Sequence, residues 1–104
     1  MPDATMIDPL GRSIILYDRA WYGHIARNHP EVKRLRHLVE DAIRSPYTIA
    51  FSTSDPDCRI YDGPGPRTGV MIRVVADVVL GLVKTAYLCR KVGGGTVEWS
   101  SPTP

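Results

Sequence analysis

The sequence lacks the features on which several classes of protein depend. Only two of its 104 residues are cysteine, Cys58 and Cys89, which excludes a disulfide-stabilised scaffold. No segment reaches the ~20 consecutive apolar residues of a membrane-spanning helix. No ligand pair such as Cys-x-x-Cys occurs, so we expect neither a bound metal nor a cofactor. Because both cysteines lie in apolar, strand-like runs, a nucleophilic cysteine enzyme is also disfavoured.

Net charge is low, and the composition is that of an ordinary soluble globular protein. The formal net charge is +2, with 43% hydrophobic and 23% charged residues. A charge this small gives only a weak indication of an anionic partner. The first residues, Met1 to Ala4, lack the charged and then apolar pattern of a signal peptide. We therefore expect a cytoplasmic protein that does not associate with a membrane.

Helical patterns come first along the chain and strand patterns follow. Residues 1–11 read as a flexible tail, 12–99 as a single domain, and 100–104 as a disordered end. One helix precedes the corner at Pro30, and a second, over residues 31–44, has a continuous apolar stripe. From Tyr47 onward the pattern alternates as in β-strands. This segregated order predicts an α+β fold, with two N-terminal helices packed on a twisted antiparallel sheet of about four strands.

The stretch from Trp21 to Glu31 carries the residues best suited to chemistry. In a helix, His24 and Arg27 are three residues apart and can face the same small volume. Pro30 suits the first turn of the next helix and forces the preceding residue, His29, out of helical geometry. The sequence therefore predicts a basic trio, His24, Arg27 and His29, beside one helix junction. The alternative is a solvated helix face with a capping histidine.

The late strands predict a second group of polar residues. In the strand from Leu82 to Arg90, Val83, Thr85, Tyr87 and Cys89 share one face. The opposite face is mostly apolar and should meet the helices, which leaves Thr85 and Tyr87 on the open side of the sheet. Arg59 and Tyr61, in an earlier strand, are expected on the same side. A Gly/Pro-rich loop supplies one further cation, Arg67.

Three segments together resemble a known family. They are His24-Ile25-Ala26-Arg27-Asn28-His29-Pro30-Glu31, the strand pair Ile72–Val75 and Val83–Tyr87, and the ending from Lys91 to Trp99. These segments are similar to the nuclease-like domains of the barnase–EndoU–colicin–RelE superfamily found in phages and bacteria. The resemblance implies N-terminal helices over a twisted antiparallel sheet and metal-independent cleavage of RNA. By position it implies catalytic roles for five residues: His24, Arg27, His29, Thr85 and Tyr87.

Histidine suits metal-free RNA cleavage because its pKa lies near the operating pH. Our hypothesis assigns His24 as general base, His29 as general acid or its partner, and Arg27 to the charged phosphate. Thr85 and Tyr87 would hydrogen-bond the phosphate or the ribose, and Tyr61 could stack on a base. The residues predicted to bind substrate are Arg59, Tyr61, Arg67 and Lys84.

Other functions stay open on the sequence alone. The domain could bind nucleic acid or a protein without cleaving anything, with the second helix as the phosphate-contacting face through Lys33, Arg34, Arg36 and Arg44. It could instead be a toxin-like domain held by a partner or inhibitor protein. A metal site built from His24, His29, Cys58 and Cys89 is disfavoured because their spacing lacks paired ligands.

Overall fold

Seven strands form one mixed, curled sheet that runs through the molecule. The computed structural model describes residues 2–102. Across the sheet the strands lie in the order β1-β2-β6-β5-β4-β3-β7. The described neighbours are antiparallel except for β2 and β6, which run parallel where Ile15 faces Leu82. The strands are β1 Ala4–Ile7, β2 Ser13–Leu16, β3 Thr48–Phe51, β4 Cys58–Pro64, β5 Met71–Asp77, β6 Leu82–Cys89 and β7 Val97–Ser100.

A first helical segment over residues 18–28 follows β2. It consists of α1 (Asp18–Ala20), a π-helical turn (Trp21–Ile25) and α2 (Ala26–Asn28). Trp21 and Ile25, four residues apart, are buried and fix this segment to the core.

The corner at His29 ends the first helical segment. His29 has φ −129° and ψ 74°, outside the helical region that a following proline disfavours. A 3₁₀ turn (Pro30–Val32) follows, and then α3 (Arg36–Arg44). In α3, Val39, Ala42 and Ile43 are buried against the sheet. The corner therefore places His29 between two helical elements.

The predicted architecture of two helices on an antiparallel sheet of about four strands is wrong. The sheet has seven strands and is mixed. The segment expected to be a loose tail supplies β1, where Met6 is only 1% exposed, and Ser100 belongs to β7. Met1, Thr103 and Pro104 lie outside the described residues. Strands β1 and β7 are four residues each, too short to show a clear alternating pattern in the sequence.

The second predicted helix is also shorter than expected. The interval from Glu31 to Arg44 divides into the 3₁₀ turn and the nine-residue α3. Leu35, between them, has φ −115° and ψ 22°, outside the helical region. The apolar stripe is therefore real, but it is carried by two elements with a break between them.

The register of the central strands defines two faces of the sheet. Ile72, Val74 and Ala86 are buried on the face that α3 covers, which we call the core face. Arg73 lies opposite both Asp62 and Tyr87, so these three residues share the other face, which we call the outer face. Of the helices within residues 2–102, none combines the length and the apolar character needed to cross a membrane.

Candidate functional site

The corner after the first helical segment meets the outer face of the sheet through two rings. The centroids of the His29 and Tyr87 rings are 5.4 Å apart, with the planes tilted by 33°. The His29 Nδ1 lies 3.8 Å from the Glu31 Oε2, which is within ion-pair range but too long for a hydrogen bond. The His29 side chain is 34% exposed, so a ligand in solution can reach it. The contact joins the corner residue and a strand residue, which the sequence singled out separately.

Arg73 lies beside Tyr87 as one half of an ion pair with Asp62. Its Cζ lies 5.9 Å from the centre of the Tyr87 ring. Its Nε and Nη2 donate to the two carboxylate oxygens of Asp62, at 2.8 and 3.1 Å, and Nη2 also donates to the carbonyl of Lys91. Hydrogen bonds to Asp62 raise the pKa of the Arg73 guanidinium, which burial alone would lower. Arg73 therefore acts as a rigid cation whose donors are largely engaged.

A glycine-rich segment, residues 90–96, runs over part of the outer face on its way from β6 to β7. The Gly93 N–H donates to the Asp62 Oδ2 at 3.0 Å, and the Gly95 N–H donates to the carbonyl of Phe51 at 2.7 Å. A Cβ on Gly94 would lie 3.0 Å from the Cβ of Ala50. The segment is thus held on the sheet, and it closes over the Asp62 carboxylate, whose side chain is fully buried.

The cysteine next to this cluster is a poor nucleophile. The Cys89 Sγ lies 4.0 Å from the Asp62 Oδ1. Burial and the neighbouring carboxylate raise the pKa of the Cys89 thiol, and burial also raises that of Cys58. Both thiols therefore stay protonated at neutral pH. Within residues 2–102, no three His, Cys, Asp or Glu side chains lie close enough together to hold a metal ion.

The other predicted catalytic residues lie on the two elements that this contact joins, the first helical segment before the corner and β6. His24 and Arg27 are exposed on the first helical segment, and the His24 Nδ1 lies 3.1 Å from the Asn28 amide nitrogen. Thr85 faces Val75 across the strand pair and lies on the outer face, two residues from Tyr87. The structure thus places Thr85 on the same face as Tyr87, and Tyr87 is the one of the two whose ring contacts His29.

Arg59 and Tyr61 are not on the outer face, which corrects the sequence expectation. Tyr61 is 0% exposed, and its hydroxyl donates to the Asp8 carboxylate at 2.6 Å, so it is not available to stack on a base. The Arg59 Nε donates to Glu98 at 3.1 Å, and its guanidinium lies 4.1 Å from the centre of the Phe51 ring. Lys84 is exposed and lies 4.0 Å from an oxygen of Asp55.

Two clefts open on either side of the loop that carries Arg67. The first, about 490 Å³, is bounded by Tyr47, the loop itself and Arg90. The second, about 500 Å³, lies between that loop and the 3₁₀ turn, with Lys33 and Arg34 on its wall. Pro30 and Leu88, the residues next to His29 and Tyr87 in sequence, also line the second cleft. The second cleft therefore begins at the corner, beside Pro30, and Leu88 bounds it from the face of β6 opposite Tyr87.

Sequence reasoning missed Arg73 and Asp62. Both lie in strands with alternating patterns, and only the register shows that they are opposite each other and that Arg73 is opposite Tyr87. A buried carboxylate in an Asp-Gly-Pro-Gly stretch reads as part of a turn from sequence alone. No protein-family model, curated protein or solved structure matches the chain.

Proposed function

We propose that this protein is a metal-independent endoribonuclease whose active site lies where the His29 corner meets the outer face of the sheet. The observation that carries the proposal is the contact of the His29 ring with the Tyr87 ring, next to the fixed cation of Arg73. It brings an acid–base group and a phenol together in one accessible place, with the ion pair of Arg73 and Asp62 beside them. The segments that resemble the barnase–EndoU–colicin–RelE superfamily suggest the same activity, although the sheet is mixed and not the antiparallel one which that resemblance implies.

The proposed reaction is attack of a ribose 2′-oxygen on the adjacent phosphorus. His24 removes the 2′-hydroxyl proton, the new P–O2′ bond forms, and the P–O5′ bond breaks as His29 protonates the leaving 5′-oxygen. The products are a 2′,3′-cyclic phosphate and a 5′-hydroxyl. The hydroxyls of Thr85 and Tyr87 donate to phosphate oxygens, and Arg27 offsets the charge that develops on the phosphate.

Two residues play indirect parts in this proposal. Arg73 positions Tyr87 through the contact of its guanidinium with the ring, because its donors are held by Asp62 and Lys91 and its charge is balanced by the Asp62 carboxylate. Glu31, whose Oε2 lies 3.8 Å from the His29 Nδ1, restricts the orientation of the imidazole ring. Each acts through a neighbouring residue.

The test is cleavage of a 5′-labelled, mixed-sequence RNA in the presence of EDTA. Wild type should generate products that end in 2′,3′-cyclic phosphate. His29→Gln should reduce the rate by at least about 100-fold, the lower end of what general acid–base catalysis contributes. Tyr87→Phe should reduce it by roughly tenfold or more, as expected for loss of one hydrogen bond to a charged group.

His37→Gln is the matched control, because His37 is an exposed histidine on α3 that takes no part in the ring contact with Tyr87 and lines neither cleft. Its rate should equal that of wild type. Absence of products from folded wild-type protein on several RNAs would contradict the proposal. An undiminished rate in His29→Gln would contradict it as well.

A second candidate is an RNA-binding domain without nuclease activity. The cation-lined clefts beside Arg67 favour it, because they offer a place for phosphates whether or not a bond is cut. Binding of RNA without products would select this function.

We place this activity in the cytoplasm. Both cysteines are free, which accords with a reducing compartment, and RNA is available there.

A further inference from the structure

The positive side chains fall into two groups according to their partners. Of thirteen Lys and Arg residues, six have a carboxylate oxygen within 4.0 Å: Arg12, Arg36, Arg44, Arg59, Arg73 and Lys84. The other seven have no such partner among residues 2–102. Four of those seven line the two clefts beside the Arg67 loop: Lys33, Arg34, Arg67 and Arg90. The unpaired positive charge is therefore concentrated at one end of the sheet.

The clustering is a product of the fold. Lys33 and Arg34 follow the 3₁₀ turn, Arg67 lies in the loop between β4 and β5, and Arg90 follows β6. Glu31 is the single carboxylate that lines either cleft within residues 2–102, and it lies 3.8 Å from His29. Cations gathered without counter-charges repel one another, so an anion that binds among them relieves an unfavourable arrangement.

The clefts also contain an aromatic side chain. Tyr47 lines the first cleft together with Arg67 and Arg90, and it is 45% exposed. Each cleft, at about 490 and 500 Å³, falls within the size range of small-ligand sites. Cations that track a backbone, combined with an aromatic ring on which a base can stack, characterise surfaces for single-stranded nucleic acid.

We infer that the two clefts bind the nucleotides of single-stranded RNA that flank the scissile bond, an inference that rests on the proposed function. Arg67, between the clefts, contacts a phosphate, and Arg90, Lys33 and Arg34 contact its neighbours. Tyr47 stacks on an unpaired base. A base-paired duplex keeps its bases stacked inside the helix and offers none to Tyr47, so single strands are the preferred form.

This assignment differs from the phosphate-binding helix that the sequence suggests. Arg36 is buried and donates to Asp18 at 2.8 Å, and Arg44 lies 3.7 Å from both Glu40 and Asp41. Those two cations are engaged within the protein. Of the four cations predicted on that helix, Lys33 and Arg34 are the ones without a carboxylate partner among residues 2–102. In the inferred site they act together with Arg67 and Arg90.

The test is equilibrium binding of a labelled single-stranded 2′-O-methyl RNA, followed by fluorescence anisotropy over a range of salt concentrations. The methyl group blocks the attacking oxygen, so binding is measured without cleavage. Arg67→Gln should raise Kd by roughly tenfold, as for loss of a charge-assisted hydrogen bond. It should also reduce the slope of log K against log salt by about 0.7 for each phosphate that the variant no longer neutralises. Tyr47→Ala should raise Kd by roughly fivefold or more without changing that slope.

Two controls match these variants. Arg19→Gln removes an exposed cation that lines neither cleft, and Tyr22→Ala removes an exposed tyrosine of the same kind. Both should bind like wild type. Undiminished affinity in Arg67→Gln, an equal loss in Arg19→Gln, stronger binding to the duplex, or no binding at low salt would overturn the inference.

The same assay separates this inference from the proposed function. Binding of the methylated RNA that depends on Arg67, without cleavage of unmodified RNA, would support the binding site and refute the nuclease proposal. Cleavage of RNA, with an RNA affinity that is unchanged in Arg67→Gln and Tyr47→Ala, would support the nuclease proposal and refute the binding site.

Discussion

Tyr61 is the residue on which the buried polar network of the core face converges. Its hydroxyl donates to Asp8 at 2.6 Å, and the Arg12 Nε donates to the same carboxylate oxygen at 2.8 Å. Burial and the hydrogen bond to Asp8 raise the pKa of Tyr61. Burial acts to raise the pKa of Asp8 as well, but its bonds from Tyr61 and Arg12 outweigh this and lower it. A neutral phenol therefore donates to an ionised, buried carboxylate, and the role is structural.

Tyr61→Phe tests that role. The change removes one of the donors to Asp8 and keeps the ring, so the free energy of unfolding should fall by about 1–3 kcal/mol. Urea denaturation at neutral pH measures it. Tyr47→Phe, at an exposed tyrosine, should change the value by less than about 0.5 kcal/mol. Equal stability of Tyr61→Phe and wild type would contradict the structural role.

At the residue scale, alternation along a strand predicts which side chains share a face of the sheet, but it does not always predict which of the two faces is the outer one. The register places Thr85 and Tyr87 on the outer face, opposite the face that α3 covers, as the apolar opposite face of their strand predicts. Arg59 and Tyr61 alternate in the same way, yet a buried ion network lets polar residues face the core there. Val83, predicted on the same face as Thr85 and Tyr87, is instead buried in the core, because the strand register shifts between Val75 and Ala76. Such a bulge leaves no clear signal in the sequence.

At the element scale, β7 is held to the rest of the sheet by Glu98. Its two carboxylate oxygens accept from the Arg12 guanidinium at 2.7 and 3.1 Å, and Oε2 also accepts from Arg59 at 3.1 Å. Burial acts to raise the pKa of Glu98, but these two arginines outweigh it and lower the pKa. The ionised form of Glu98 thus links β7 to β4 and to the turn between β1 and β2.

Acid should weaken this link. Asp8 and Glu98 have native pKa values below their ordinary values of 3.8 and 4.5, so the unfolded chain binds more protons at low pH. The contribution of these two carboxylates to stability is complete above their ordinary pKa values. It is lost as the pH falls through their lower pKa values in the native state. Urea midpoints measured from about pH 6 down to pH 3 should decline, and less steeply in Glu98→Gln. Identical pH dependence in the variant and wild type would contradict this account.

The packing of α3 on β4 depends on the absence of a side chain at Gly63. A Cβ there would lie 3.0 Å from both the Cα and the Cβ of Ala42. Gly63→Ala should therefore push α3 from the sheet and lower the free energy of unfolding by about 1–3 kcal/mol. Gly23→Ala is the control, because nothing lies within 4 Å of its added methyl and alanine favours a helix. A stability loss in the control that equals the loss at Gly63 would refute the packing argument.

The sequence located the helix corner because its signal is local. Pro30 constrains the residue before it, and His29 accordingly leaves the helical region. The helix after the corner was predicted too long, because the apolar stripe continues through the break at Leu35. Periodicity detects which residues are buried, and it does not detect where the backbone interrupts a helix.

At the scale of the whole molecule, the candidate site is created by pairings that no local pattern contains. The parallel contact of β2 with β6 brings the chain that follows β2 alongside β6, and so brings His29 to Tyr87. Long-range strand order likewise gathers Lys33, Arg67 and Arg90 around adjoining clefts. The sequence predicts individual site residues, but only the order of the strands in the sheet shows which of them lie close together.

The claim that a ribose 2′-hydroxyl is the nucleophile is tested most directly with a matched pair of substrates. One is an RNA with a mapped cleavage site, and the other carries a single 2′-deoxy nucleotide immediately before that site. Both are incubated with wild-type protein in EDTA, and the product ends are identified by mass spectrometry. We predict a 2′,3′-cyclic phosphate from the RNA and no cut at the deoxy position. Equal cleavage of both substrates, or no cleavage of either, would contradict the account.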